Sequence, residues 1–215
     1  MTERIPARWY FDLVSPFAYL YIKRFDELSP SLDVEFVPVL FAGLLKHWDN
    51  KGPAEIAPKR LHTYRGCVWA AARHEIPFRM PPRHPFNPLN AQRLLAGLGA
   101  PRQAVEAAFD FVFGEGRDVA ADWPALCDRL NVSSADAASL IGDPAVKQRL
   151  VANTADAAAL GVFGVPTLAV RGQCFWGSDT IDWSNAFIDN PGMFDEGEMK
   201  RAGAVEIGAA RKEVR

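Results

Sequence analysis

Residues 11–20, FDLVSPFAYL, decide how this chain is read. The run RWYFDLV, residues 8–14, is apolar and aromatic almost throughout, the pattern of a strand covered on both faces. It passes directly into Ser15-Pro16, and from Phe17 the apolar residues fall at helical spacing: Phe17, Leu20, Tyr21, Phe25 and Leu28. Strand, tight turn and helix in that order form the layout that carries a Cys-x-x-Cys pair in thiol–disulfide chemistry. Here the two cysteine positions hold Ser15 and Ala18, so no disulfide can form between them.

Working outward, Ser29-Pro30 stops the first helix, and LDVEFVPVL reads as a second strand. Strand, helix and strand within about 30 residues make a βαβ unit and imply a parallel pair. The next hundred residues carry little strand signal and several helix starts. HWDNKGPAEIAPK, residues 47–59, is the best loop candidate among them. Asn87-Pro88 reads as a cap and first-turn proline before LNAQRLLAGLG. Ala104, Val105, Ala108, Phe109 and Val112 share one helix face. Ser133 with Asp136 resembles a capping box, and Asp143-Pro144 opens a helix ending near Gly161. Strand signal returns in TLAVRG and QCFWG, residues 167–177, spaced as a hairpin. DTIDWSNAFID reads as a closing helix. The order βαβ, helical block, ββα fits a helical domain inserted into a small α/β domain with a mixed sheet.

The chain has 215 residues, 49% hydrophobic and 23% charged, with a net charge of −2. Such a chain buries roughly 70–75% of its unfolded surface, and its core needs no staples. The charge offers no basic field for nucleic acid. No apolar run of about 18 residues suits a membrane, and MTERIPARWY lacks a charged-then-apolar leader, so a cytoplasmic chain is expected. Cys67, Cys127 and Cys174 are widely spaced and odd in number, which suits free thiols. His47, His62, His74 and His84 share no metal-ligand spacing.

Ser15 follows the first strand and opens the first helix, at the carboxyl end of the strands where such sheets bind ligands. Helix N-termini present free N–H groups and partial positive charge, a setting that favours a thiolate. A serine hydroxyl is too weak an acid to be that thiolate, but it can donate a hydrogen bond to one brought by a ligand. It is also a good N-cap in its own right, a device the chain repeats at Asn87-Pro88 and Asp143-Pro144. Ser178-Asp179 likewise reads as a helix cap, and Pro166 as a proline that begins a strand. Phe41, Trp48 and Phe86 offer an aromatic wall or plain core. His84 and Asn87 are candidates for a cleft lining. Lys46, Lys51, Lys59 and Arg60 offer a carboxylate site or a solvated face.

VSPFAYL, GVFGVPTLAV and FWGSD resemble segments of the 2-hydroxychromene-2-carboxylate isomerases, which share a DsbA-like thioredoxin fold with kappa-class glutathione transferases. KRLHTYRG and IPFRMPPRHPFNPLNAQRLL, between them, are similar to the isomerase-like branch. The resemblance covers about residues 8–190. It implies an α/β fold, a thioredoxin-like mixed sheet (βαβ…ββα), over residues 1–41 and 155–200. It further implies an all-helical insertion over 42–154, a tail over 201–215, a homodimer, and glutathione as cofactor. Ser15 matches the catalytic serine and Val165-Pro166 the cis-proline loop, where the residue before proline pairs its backbone with the glutathione peptide. Ser178 and Asp179 match the γ-glutamyl site, and Asn50 and Lys59 match polar contacts from the insertion. Thr180 stands where the kappa-class pattern has arginine, and Gly66 where it has an acidic residue. The activity implied is glutathione-dependent cis/trans isomerisation of a small aromatic carboxylate by reversible thiolate addition. The rivals are a kappa-like transferase or peroxidase and a non-catalytic glutathione-binding module.

Overall fold

The computed structural model describes residues 4–209; of the expected tail, residues 210–215 lie outside them, as do residues 1–3 of the first segment. Aromatic and β-branched residues at period two build a four-stranded sheet in the order β2-β1-β3-β4. The strands are β1 (Ile5–Phe11), β2 (Leu32–Pro38), β3 (Thr167–Val170) and β4 (Gln173–Trp176). β1 and β2 are parallel, whereas β3 runs antiparallel to both β1 and β4, so the expected mixed sheet is present. Alternation along β1 sends Trp9 and Phe11 to one face and Tyr10 to the other. On the first face Trp9, fully buried, packs at 5.2–5.3 Å against Phe11, Phe25 and Phe36. On the second, Tyr10, Val37 and Ala169 cluster with Leu44, Ala157 and Ala158.

The helices are α1 (Pro16–Ile22), α2 (Phe41–His47), α3 (Ala57–Arg73), α4 (Leu89–Gly97), α5 (Arg102–Phe109), α6 (Trp123–Arg129), α7 (Ser134–Gly142), α8 (Pro144–Ala159), α9 (Ile181–Asp189) and α10 (Gly197–Gly203). Among the described residues no helix is long and apolar enough to cross a membrane. Ser133 and Asp143 cap α7 and α8 through their side chains, as their sequence contexts imply. The expected boundary between 154 and 155 falls inside α8. That helix runs unbroken from the insertion onto the second face of the sheet, where Ala157 and Ala158 are buried. A chain returning to the sheet needs a helix to cover that face, so α8 belongs to both parts.

The strand expected over residues 8–14 lies at 5–11 instead. Asp12, Leu13 and Val14 leave the ladder although Asp12 and Leu13 are buried. Asp12 makes the turn: one carboxylate oxygen accepts from Val14 N at 3.0 Å and the other from Phe41 N at 2.9 Å. Gln92, fully buried on α4, completes the anchoring. Its amide nitrogen donates to Phe11 O and Val39 O at 3.1 and 2.8 Å, and its oxygen accepts from Leu13 N at 3.2 Å. These two side chains fix the loop that presents Ser15.

Gln92→Leu keeps the volume but orphans Leu13 N and Val39 O. At about 1–3 kcal/mol per buried unpaired group, the variant is expected to lose about 2–5 kcal/mol in urea denaturation. Burial raises the Asp12 pKa from 3.8 to about 6, against the pull of its two N–H donors. Between those values the folded protein keeps a proton that the unfolded chain has lost, so stability falls as pH rises through that window. The stability of the wild type relative to Asp12→Asn, which cannot titrate, should therefore drop by roughly 3 kcal/mol between pH 3.5 and 7. Denaturation of both proteins across that range measures it.

Candidate functional site

The β1–α1 loop, the α2–α3 segment, residues 84–89 and the 163–165 loop enclose a cleft of about 740 Å³. Ser15 lies in it, 7% exposed. Its hydroxyl oxygen accepts from Ala18 N at 3.2 Å, which is the cap, while its proton is donated to Val165 O at 3.2 Å. The cap reading of Ser15 holds, and its hydroxyl proton faces the cis-proline loop. α1 is only seven residues long, with Ser15 as its N-cap.

The Val165-Pro166 bond is cis, as the resemblance implies. Val165 lines the cleft, and no acceptor for its N–H is found among the described residues. Pro166 faces away, its carbonyl accepting from Gly177 N at 3.0 Å. That bond places the turn carrying Ser178 and Asp179 beside the cis-proline loop, yet neither residue lines the cleft. The Ser178 carbonyl accepts from Arg24 at 2.9 Å. Neither Ser178 nor Asp179 caps α9; Thr180 occupies the cap position without a side-chain cap bond.

Asn50 and Lys59 line the cleft as expected, with Lys51 between them. Among the described residues neither lysine has an ion-pair partner. Phe41 and Phe86 form part of the wall, but Trp48 does not, its indole N–H being given to Val162 O at 2.9 Å. Lys46 and Arg60 also lie outside the lining. His84 and Asn87 both line it. Asn87, expected as the cap, lies one residue ahead of the cap position of α4, which Pro88 occupies, and accepts from Leu89 N at 3.0 Å.

Asp12, Tyr64, Phe163 and Trp176 are among the lining residues that the sequence reading does not single out. Asp12 had a signal, as the one acid inside an apolar strand run. Tyr64 follows Lys59 by little more than a helical turn, on the face that Thr63 also shares. Phe163 and Trp176 pack together at 5.1 Å. A Cβ on Gly164 would come within 2.5 Å of the Trp176 indole nitrogen, so only glycine allows that indole to lie over the loop.

The site holds no thiol of its own. Cys67 and Cys127 are buried, and none of the three cysteines lines the cleft. Burial pushes the Cys67 thiol up to about 12. No cluster of His, Cys, Asp or Glu able to hold a metal is found among the described residues. What remains is a largely apolar cleft lined by the Ser15 hydroxyl, a free backbone N–H beside it, the Tyr64 and His84 side chains and two unpaired lysines.

A family model for the DsbA-like thioredoxin domain matches residues 8–189. A 2-hydroxychromene-2-carboxylate isomerase from Sphingobium xenophagum is 27% identical over 206 residues, covering 87% of this chain and 99% of that protein. Glutathione S-transferase kappa 2 from Caenorhabditis elegans is 24% identical, covering 89% and 95%. The solved structure of a 2-hydroxychromene-2-carboxylate isomerase superposes with a TM-score of 0.74 at 21% identity, covering 94% of this chain and all of the other. With its mixed sheet, inserted helices and serine in place of the first cysteine, the chain belongs to the DsbA-like thioredoxin domain family, and it resembles the 2-hydroxychromene-2-carboxylate isomerases in both sequence and fold.

Proposed function

We propose that the cleft binds glutathione and that the protein is a glutathione-dependent cis/trans isomerase of a small aromatic carboxylate, of the 2-hydroxychromene-2-carboxylate type. The observation that carries this reading is the Ser15 hydroxyl, held on Val165 O at the base of an apolar cleft that has no cysteine. The residues fit the cofactor. Val165 offers a free N–H and a carbonyl to an extended peptide, and Asn50, Lys51 and Lys59 face its polar ends and the substrate carboxylate. Asp179 and Ser178 are assigned to the γ-glutamyl ammonium and carboxylate.

Glutathione, when bound, supplies a thiolate whose reversible addition turns a double bond single for long enough to rotate. Ser15 turns its proton from Val165 O to the sulfur and stabilises the charged form. Val165 O, released, accepts a peptide N–H. Phe41, Phe86 and Trp176 hold the arene and exclude water. A kappa-like transferase is the second reading, favoured by the likeness to the Caenorhabditis elegans protein. Thr180 weighs against it: where the kappa pattern has arginine, its hydroxyl is given to Gly177 O at 2.9 Å and it is buried. The family resemblance also supports a homodimer.

Glutathione at about 100 times its dissociation constant should stabilise the protein by about 2.7 kcal/mol. Thermal melts show whether it does so where equimolar β-mercaptoethanol does not, and equal effects would count against the cofactor. Ser15→Ala should lose about 0.5–2 kcal/mol of stability as a missing cap. Its turnover of the chromene should fall by about 10²–10³-fold, as when a charge-stabilising donor is removed. Thiolate absorbance against pH should show the pKa of bound glutathione rising in the variant. Undiminished turnover with an unshifted titration would leave Ser15 a cap alone.

A further inference from the structure

One cluster in the cleft has no part in the thiol chemistry above. His84 Nε2 lies 2.7 Å from Val14 O. A carbonyl only accepts, so Nε2 carries the hydrogen and, in the neutral ring, Nδ1 is bare. Nδ1 lies 2.7 Å from the Tyr64 hydroxyl, which donates to it. The same hydroxyl is also 2.7 Å from His84 O. Add a proton at Nδ1 and the ring donates to Tyr64 Oη, while the tyrosine hydrogen swings to His84 O. Nδ1 and the tyrosine hydrogen are thus partnered both with and without the extra proton, and His84 O gains its donor when the proton is added. Both side chains line the cleft, and Phe86 and Phe113 flank the imidazole at 6.0 and 6.1 Å. Burial lowers the pKa of His84 and raises that of Tyr64, despite Arg60 near the phenol, so the resting pair is neutral. In that state Tyr64 Oη keeps a lone pair with which to accept a proton.

We propose that Tyr64 and His84 open the ring of a cyclic hemiketal substrate, Tyr64 taking the proton of its hydroxyl and His84 holding it. The proposal rests on the substrate class of the preceding section, though not on glutathione. In a 2-hydroxychromene-2-carboxylate the hydroxyl, the carboxylate and the ring oxygen share carbon 2. The hydroxyl proton passes to Tyr64 Oη as the tyrosine proton passes to His84 Nδ1. The O–H electron pair becomes the C2=O bond, and the C2–ring-oxygen pair leaves with the oxygen as phenoxide. His84 then returns its proton through Tyr64 to that phenoxide. The two oxygens share a carbon, so one phenol serves both, and the balance needs no other reactant. The product is the open cis-enone, with a double bond conjugated to a ketone, which is the form that a thiolate can attack.

The test omits glutathione. A solution of the open form at alkaline pH is mixed to neutral pH with catalytic protein, and ring-closure relaxation is followed by ultraviolet absorbance. A catalyst of opening speeds this approach to equilibrium as well. The wild type should relax at least ten times faster than buffer. Tyr64→Phe, and His84→Gln, which keeps a donor for Val14 O but holds no proton, should each lose at least ten-fold of the protein-dependent rate while melting as folded proteins. Relaxation no faster than buffer with the wild type overturns the proposal without any variant, and so does an undiminished rate in either folded variant. Formation of the trans isomer with glutathione is measured separately. Its absence beside rapid relaxation sinks the isomerase reading and leaves this one standing; its presence without protein-accelerated relaxation does the reverse.

Discussion

The carboxyl ends of β1 and β2 are where the structure is most constrained. The ladder stops there, and its last polar groups would be buried without partners if the inserted helices simply packed over them. Gln92 on α4 bonds to Phe11 O, Leu13 N and Val39 O together, and Asp12 joins Val14 N to Phe41 N. The insertion is thereby bolted to the strand ends by hydrogen bonds, which are directional, as well as by apolar packing, which is not. Directional bonds hold the β1–α1 loop away from the helices and keep a cleft open between them.

The same economy governs Ser15. A single hydroxyl caps α1 with its oxygen and closes on Val165 O with its proton. Under the proposed function, the Ser15 hydroxyl would donate to a bound thiolate and Val165 O would accept a peptide N–H from the ligand, while the idle Val165 N–H would gain an acceptor. The Ser15 hydroxyl and Val165 O are thus paired in either state, and of these groups the Val165 N–H alone lacks a partner before a ligand binds. Pairing in both states is the condition for a polar site to bind without a large desolvation cost.

Much of this was legible in the sequence because it follows from period and punctuation. The parallel pair, the hairpin, the closing helix and the caps at Ser133 and Asp143 are local patterns, and each is present. The end of β1 was not legible, because burial continues through Leu13 after pairing has stopped, and apolar pattern reports burial rather than pairing. The reach of α8 to near Gly161 was legible, but not that its last turns would cover the second face of the sheet, because its alanine-rich half carries a weak facial signal. Ser15, Val165, Asn50 and Lys59 gather as the resemblance implied, whereas Ser178 and Asp179 lie just outside the lining. Gln92, Tyr64 and the Tyr64–His84 contact were invisible, since each depends on which residues some 20–80 positions apart are brought together.

His84 stands where these constraints meet. The segment that carries it is rich in proline, with Pro81, Pro82, Pro85 and Pro88, each fixing its own backbone φ and narrowing the freedom of the residue before it. Its imidazole is therefore placed without belonging to a helix or a strand. One nitrogen grips Val14 O, in the peptide unit that leads into Ser15, and the other meets Tyr64 on α3. Any shift of the β1–α1 loop is felt at Tyr64, and any shift of α3 is felt at Ser15. Tyr64, His84 and the Val14–Ser15 peptide unit are joined by two hydrogen bonds and one covalent link, so under the two proposals the spacing of the proton-holding pair and the thiolate donor would be set by bonded geometry rather than by the looser packing of the cleft walls. Two chemical steps on neighbouring atoms of one substrate require that kind of fixed spacing.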